Sequence, residues 1–332
     1  MALRVVVTRR VPDPALELLA HSGVGLWVSP QDRPLEASEL RAAVAGADAV
    51  ITLLHDRVDA ALLAAAGPQL RCVCNVAVGY DNIDVPACSS RGVLVTNTPG
   101  VLTDATADLA IGLILAVTRR LGEGERLLRA REPWRWHMFF MLGASLQGKT
   151  LGIVGLGGIG AATARRARAF GMDIVYSGRR RAATELEASL GGARYLELDE
   201  LLESSDVVSL HCPLTAETRH LIDAGRLALM KPSAYLVNTA RGPIVDEAAL
   251  ADALRAGTIH GAALDVFEHE PDVHPGLLEL DNVVLVPHLG SATIETRTAM
   301  AVLAARNVVA ALGGEAPLTP VNPEVLGAAP VT

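Results

Sequence analysis

The chain has few cysteines, few aromatics and no excess of positive charge. Its four cysteines, Cys72, Cys74, Cys88 and Cys212, are scattered. Cys72 and Cys74 sit at strand spacing on one face, but no second pair completes a tetrahedral metal set. All four therefore read as buried small hydrophobes. The formal charge is −8, which argues against nucleic acid, whose phosphates reward basic surfaces. The longest apolar run, Leu109 to Val117, is far short of the roughly 20 residues needed to cross a bilayer. No signal pattern opens the chain, so a cytoplasmic location is expected, and no membrane partner. No internal repeat of fixed period is present. What remains is aliphatic: half of the residues are hydrophobic. With 332 residues two domains are expected, because a single core stops growing at about 250–300 residues.

Short apolar runs alternate with helical patterns from the start. Leu3–Thr8, Val24–Val28, Ala49–Leu53, Leu70–Val76 and Val93–Thr96 read as strands. Helical patterns at Pro14–Ala20, Leu35–Val44, Asp59–Ala66 and Val85–Ser90 lie between them. This alternation predicts a parallel α/β sheet. A second alternation runs through Val207–Cys212, Ala234–Thr239, Gly261–Val266 and Val283–Pro287. The expected fold is thus α/β, with two doubly wound parallel-sheet domains. The long apolar helix Thr103–Arg120 reads as buried, either in the core or against another subunit. Trp134 to Phe140 holds two of the three tryptophans and two of the four phenylalanines, as a local hydrophobic plug or as an interface patch.

The organising stretch is Lys149 to Arg181. An apolar run leads into Gly155-Leu156-Gly157-Gly158-Ile159-Gly160, then an Ala/Arg helix and a second apolar run to Tyr176. In such a βαβ unit Gly155 allows the tight turn, Gly157 lets backbone approach a pyrophosphate, and Gly160 lets the helix pack on the strand. The helix N-terminus then offers N–H groups to the phosphates. An NAD enzyme of this type carries an acid at the end of the second strand for the ribose 2′-OH. Here there is none from Ile174 to Ala183; the strand ends Ser177-Gly178-Arg179-Arg180-Arg181. Arg179 or Arg180, with the Ser177 hydroxyl, can bind a 2′-phosphate, so NADP(H) is the preferred cofactor and NAD(H) the lesser one.

Three polar residues follow strands of the second sheet: Arg241, Glu270 and His288. The carboxyl ends of parallel strands put them on the cofactor side. Reducing a 2-oxo acid moves hydride to the carbonyl carbon while a proton reaches its oxygen. A histidinium supplies that proton, and a neighbouring carboxylate favours the charged ring and fixes its tautomer. A guanidinium fork matches the substrate carboxylate and polarises the carbonyl.

Several motifs together resemble the D-isomer-specific 2-hydroxyacid dehydrogenase family almost end to end. They are Asn75–Asp84, the Gly155–Gly160 turn, His211–Thr215, Asn238–Gly242, Ala263–Glu268 and Pro287–Ala292. Thr98–Asp108, the Trp136 segment and His288–Thr293 look most like glyoxylate/hydroxypyruvate reductases. The resemblance implies a Rossmann domain, 99–288, inserted in a smaller flavodoxin-like substrate domain formed by 1–98 and 289–332. It implies Arg241 for substrate binding, Glu270 as the partner of the histidine and His288 as acid/base. Backbone N–H groups of Val78 and Gly79 would take the substrate carboxylate, with Leu54 and Trp136 also at the substrate. Asp265 would face the nicotinamide amide. Thr106, Gly155, Gly157, Gly158, Ile159, Gly160, Cys212, Pro213, Thr239, Ala240, His288 and Gly290 would line the cofactor. A homodimer is implied, with Trp136 reaching the partner's active site. Gly158 is a departure, since many relatives carry Arg or Lys there.

The expected reaction is NADPH-dependent reduction of glyoxylate and hydroxypyruvate to glycolate and D-glycerate. Alternatives are another small 2-oxo acid (2-ketogluconate or pyruvate), a phosphonate or formate oxidoreductase, or a corepressor on the same fold. A formate enzyme would pair its histidine with glutamine rather than Glu270. A corepressor would need partner-binding additions for which this chain has little room.

Overall fold

The computed structural model describes residues 3–327. They fall into two compact units, one running to Leu102 and resuming at Thr293, the other Thr103–Ala292. The first holds β1 (Arg4–Val7), β2 (Gly25–Val28), β3 (Ala49–Thr52), β4 (Cys72–Asn75) and β5 (Leu94–Thr96). All pairings are parallel, in the order β2-β1-β3-β4-β5. This is the flavodoxin-like order. Val5–Val7, Ala49–Ile51 and Cys72–Cys74 are buried throughout, as unbroken apolar runs in a sheet covered on both faces should be.

Helices start where the sequence offers caps. Asp59 accepts the Ala61 and Leu62 N–H groups ahead of the helix Ala60–Ala66, and Asp84 accepts that of Ala87 ahead of Val85–Ser90. The closing helix Ile294–Gly313, capped by Thr293, buries Ala301, Ala304, Ala305 and Val308 in the same core as Val5, Val7 and Leu19. Beyond it the chain pairs with β5: Val321 N–H donates to the Val95 carbonyl at 2.8 Å, and Asn322 Oδ1 accepts the Val95 N–H at 2.7 Å. The first unit is therefore discontinuous, and the second is inserted in it. The end of the Pro-rich tail, from 328, lies outside the described residues.

The second unit holds β6 (Thr150–Val154), β7 (Asp173–Ser177), β8 (Arg194–Tyr195), β9 (Val207–Leu210), β10 (Tyr235–Asn238), β11 (Gly261–Leu264) and β12 (Val283–Leu285). They lie parallel in the order β8-β7-β6-β9-β10-β11-β12. The order reverses between β6 and β9, the switch point where ligands of doubly wound sheets sit. The two-residue β8 and the short helices Thr184–Ser189 and Pro275–Leu278 carry too little periodicity to be read from sequence.

The helix Thr103–Thr118 packs Ile111, Leu113, Ile114 and Val117 into one core with Ile153, Tyr235, Val237 and Ala263. It is not buried all round: Gly112 is exposed, and Leu109 and Leu115 are half-buried. The aromatic segment also departs from a plug. Trp136 is 76% and Phe139 77% exposed, Met138 is exposed too, and Trp134 stacks on nearby Phe140, ring centroids 5.9 Å apart. Preceding it, the helix Leu121–Arg129 buries no residue and exposes Leu121 and Leu128. Among the described residues no helix is long and apolar enough to cross a membrane.

Candidate active site

β6 runs into the glycine turn at Gly155, where φ is +96°. A Cβ there would lie 2.8 Å from the Cys212 backbone nitrogen, and one at Gly160 would overlap the Gly155 carbonyl. Both positions require glycine for close approach. Gly157 differs. It caps the helix Gly158–Ala169, and a Cβ on it would meet nothing within 4 Å. Open space therefore lies over a helix end whose N–H groups lack intrahelical partners. Gly158 is exposed and Ile159 half-buried. At the end of β10 the Thr239 hydroxyl is buried without a partner among the described residues, and Ala240 beside it is half-buried. An open helix end and an unmet hydroxyl at the strand ends fit a dinucleotide. After β9, burial pushes the Cys212 thiol up to about 11, so it is neutral beside the turn, with Pro213 exposed next to it.

At the end of β7, Ser177 is buried and its carbonyl accepts the Gly155 N–H at 2.8 Å. Arg179 and Arg180 are exposed and make no ion pair among the described residues. Arg181 does not join them. Its guanidinium grips Glu187 through two bonds of 2.9 and 3.1 Å.

Asp265 follows β11 and is fully buried. Its carboxylate accepts the N–H groups of Leu289 (2.5 Å) and Gly290 (2.9 Å), and its carbonyl that of His288 (2.8 Å). Thr106 donates to the Gly290 carbonyl at 3.1 Å. So held, the turn keeps His288 at φ +52°, a left-handed conformation that costs a non-glycine residue about 1–2 kcal/mol. His288 Nδ1 lies 2.8 Å from Glu270 Oε2, and the other Glu270 oxygen accepts the Phe267 N–H at 3.0 Å. Burial pushes the Glu270 carboxyl up, but its bond to His288, the Phe267 N–H and the nearby Arg241 charge outweigh that and hold it below the usual carboxylate range. His211, after β9, is a poor candidate for a proton donor. Burial lowers its pKa to about 4, and its Nε2 is 2.9 Å from the Ser209 hydroxyl.

Arg241 extends from β10, where Asn238 Nδ2 donates to its carbonyl at 2.8 Å and Arg241 Nη1 donates to the Ala240 carbonyl at 2.8 Å. Two glutamates join this loop to the one carrying Glu270. Glu268 N–H donates to Glu247 Oε1 (2.7 Å), and Glu247 N–H to Glu268 Oε2 (3.2 Å). Among the described residues no group of three or more His, Cys, Asp or Glu could hold a metal.

In the first unit, β4 ends at Asn75. Its side chain donates to the Gly79 carbonyl at 2.9 Å, while Asn97 Nδ2 donates to the Val78 carbonyl at 2.8 Å. Both carbonyls are engaged, and the N–H groups of Val78 and Gly79 donate to nothing among the described residues. Leu54 follows β3, in a turn held by Asp56, which accepts the Leu53 N–H at 2.8 Å and the Thr8 hydroxyl at 2.5 Å.

The model of the D-isomer specific 2-hydroxyacid dehydrogenase NAD-binding domain matches residues 111–290. A glyoxylate reductase of Aeropyrum pernix is 52% identical over 330 residues, covering 97% of each chain. Another, from Thermofilum pendens, is 48% identical over 99% of this chain and 97% of that protein. The chain belongs to the D-isomer-specific 2-hydroxyacid dehydrogenase family. It is accordingly an oxidoreductase of the glyoxylate reductase type with a nicotinamide cofactor. Among solved structures, an NADPH-dependent glyoxylate/hydroxypyruvate reductase from Sinorhizobium meliloti, in complex with NADP and malonate, superposes with a TM-score of 0.83. It is 38% identical, with 97% of each chain covered.

For this dehydrogenase, sequence reasoning missed the side chains that hold the site's loops. Asn75 lies inside a motif singled out above, yet nothing local shows that its amide reaches the Gly79 carbonyl. Asn97, Asp56, Glu247 and Glu268 were equally silent. Only Asn97, directly after β5, stands where a polar residue is a signal; Asp56 and Glu268 lie further along their loops and Glu247 opens a helix.

Proposed function

We propose that this protein reduces glyoxylate, and hydroxypyruvate, to glycolate and D-glycerate at the expense of NADPH. The observation that carries the reading is the 2.8 Å pair of His288 and Glu270, with the Arg241 charge beside it. On this reading the cofactor is held within the unit Thr103–Ala292, by the glycine turn and the ends of the strands beside it. A bound nicotinamide would supply the hydride. His288 donates the proton to the carbonyl oxygen, Glu270 holds and orients the ring, and Arg241 draws electron density toward that oxygen. The backbone around Gly157, Gly158 and Ile159 would hold the pyrophosphate, and Thr239, Ala240, Cys212, Pro213 and Gly290 the remainder of the cofactor. Asp265 and Thr106 support that wall by fixing the turn of His288.

The test is nicotinamide absorbance with glyoxylate, hydroxypyruvate, pyruvate and 2-ketogluconate in turn, each with NADPH and NADH. Glyoxylate with NADPH should give the highest kcat/KM. A preference for pyruvate or 2-ketogluconate would replace the substrate assignment. Arg179 and Arg180 support the cofactor assignment, since both are exposed cations without ion-pair partners among the described residues. Replacing both with alanine should raise KM for NADPH by about 10–100-fold, the worth of one or two charge-assisted bonds, and leave NADH nearly unchanged. Equal efficiency with the two cofactors in the wild type would sink the assignment.

The exposed Trp134–Leu142 segment supports a homodimer, because an apolar patch of this kind is covered in most proteins. In that dimer Trp136 lines the partner's substrate site, so Trp136→Ala should change KM for hydroxypyruvate more than for the smaller glyoxylate. Sedimentation as a monomer at micromolar concentration would rule this out.

A further inference from the structure

Tyr176 is the last residue but one of β7, and its ring is fully buried. Strand alternation sends it to the opposite face from Ser177. There its hydroxyl donates to Glu187 Oε1 at 2.6 Å and accepts the Ala182 N–H at 2.9 Å. Glu187 comes from the helix Thr184–Ser189, which follows the arginine loop. Its two oxygens also take the Arg181 guanidinium, Nε at 2.9 Å and Nη2 at 3.1 Å. Tyr195 stands edge-on against Tyr176, ring centroids 5.6 Å apart, and its hydroxyl lies 3.3 Å from both the Gly178 carbonyl and Glu197 Oε1, sharing its one proton between them.

The loop after β7 is therefore fastened on both sides of Arg179 and Arg180. Gly178 lies against the Tyr195 hydroxyl; Arg181 and Ala182 are held by Glu187 and Tyr176. Hydrogen bonds from Arg181 and then Tyr176 keep the Glu187 carboxyl below its usual range, so it is an anion at neutral pH. Three adjacent guanidiniums repel one another, and this anion draws one of them aside.

We propose that Glu187 is a positioning residue for cofactor choice, acting with Tyr176 and Arg181 to fix the loop on which Arg179 and Arg180 meet a ribose 2′-phosphate. The proposal rests on the NADPH reading above. A preset loop loses less conformational freedom when the phosphate binds, and so binds it more tightly. A network that only fastened the short helix to the sheet would matter equally for any adenine nucleotide. One that sets the two arginines matters only when a 2′-phosphate is present.

Calorimetry on the full-length protein without nicotinamide separates these cases, with adenosine 2′,5′-bisphosphate and 5′-AMP as probes. In Glu187→Gln the bisphosphate should bind about tenfold more weakly, a fraction of a charge-assisted contact, with 5′-AMP changed less than about twofold. Tyr176→Phe removes a single oxygen from a packed ring and should move the ratio the same way by a smaller factor, so the test survives if Glu187→Gln does not fold. A wild-type preference for the bisphosphate that persists in both variants overturns the proposal alone. So does equal weakening of both probes. No preference in the wild type overturns the NADPH reading and the proposal together.

Discussion

Replacing His288 with alanine should lower kcat by about 10²–10⁴, the usual worth of a positioned proton donor, or roughly 3–5 kcal/mol of barrier. Cofactor KM should change little. Because His288 sits at φ +52°, alanine there also loses backbone stability, so His288→Asn is the cleaner variant. Asparagine tolerates the left-handed region and cannot deliver the proton. Both variants should be equally inactive, while the asparagine protein melts closer to the wild type. If His288→Asn kept more than about a tenth of wild-type kcat, another group would be the donor. His211, its pKa lowered to about 4, could not take over at neutral pH.

Glu270→Gln has a different signature. Glu270 is held below the usual carboxylate range, so it is an anion at neutral pH. Glutamine keeps an acceptor for the ring N–H but removes the charge beside the ring. On the proposed reading kcat should fall by about tenfold or more, the worth of one charge-assisted bond, with cofactor KM unchanged. A wild-type kcat would leave Glu270 without an electrostatic role.

What the sequence could disclose depended on how local the cause is. The cradle was legible because glycine's freedom is a property of the residue itself, and Gly155, Gly157 and Gly160 each meet a different packing demand. Alternating strands and helices gave both sheets for the same reason. The conformation of His288 was not legible, since it is imposed by Asp265 on the neighbouring strand through the backbone of Leu289 and Gly290. Nor could three adjacent arginines be told apart. Arg181 is singled out by Glu187, six positions on, and only because the helix Thr184–Ser189 turns that carboxylate back. The aromatic segment marks the other limit. Composition showed that it was apolar, but an exposed arm and a plug have the same composition.

The second large effect concerns a residue with no side chain. Gly242 follows Arg241 and is buried. A Cβ on it would overlap the carbonyl group of Phe267 and crowd the Glu268 nitrogen. Both are backbone atoms and cannot rotate away. At this point the loop carrying Arg241 touches the loop carrying Glu270, and the Glu247–Glu268 exchange of hydrogen bonds fastens the same two segments. Gly242→Ala must therefore push them apart, at the cost of bonds that are part-buried. The loss should reach about 3 kcal/mol or more, the range of severe overpacking combined with a broken network. That predicts a fall in Tm of about 6–12 °C, taking roughly 2–4 °C per kcal/mol for a unit of this size. Below that temperature the variant should turn over slowly, because Arg241 no longer stands in register with Glu270. Differential scanning calorimetry with steady-state kinetics checks both parts, and a variant with wild-type Tm and kcat would mean that the two loops are not packed as closely as Gly242 requires.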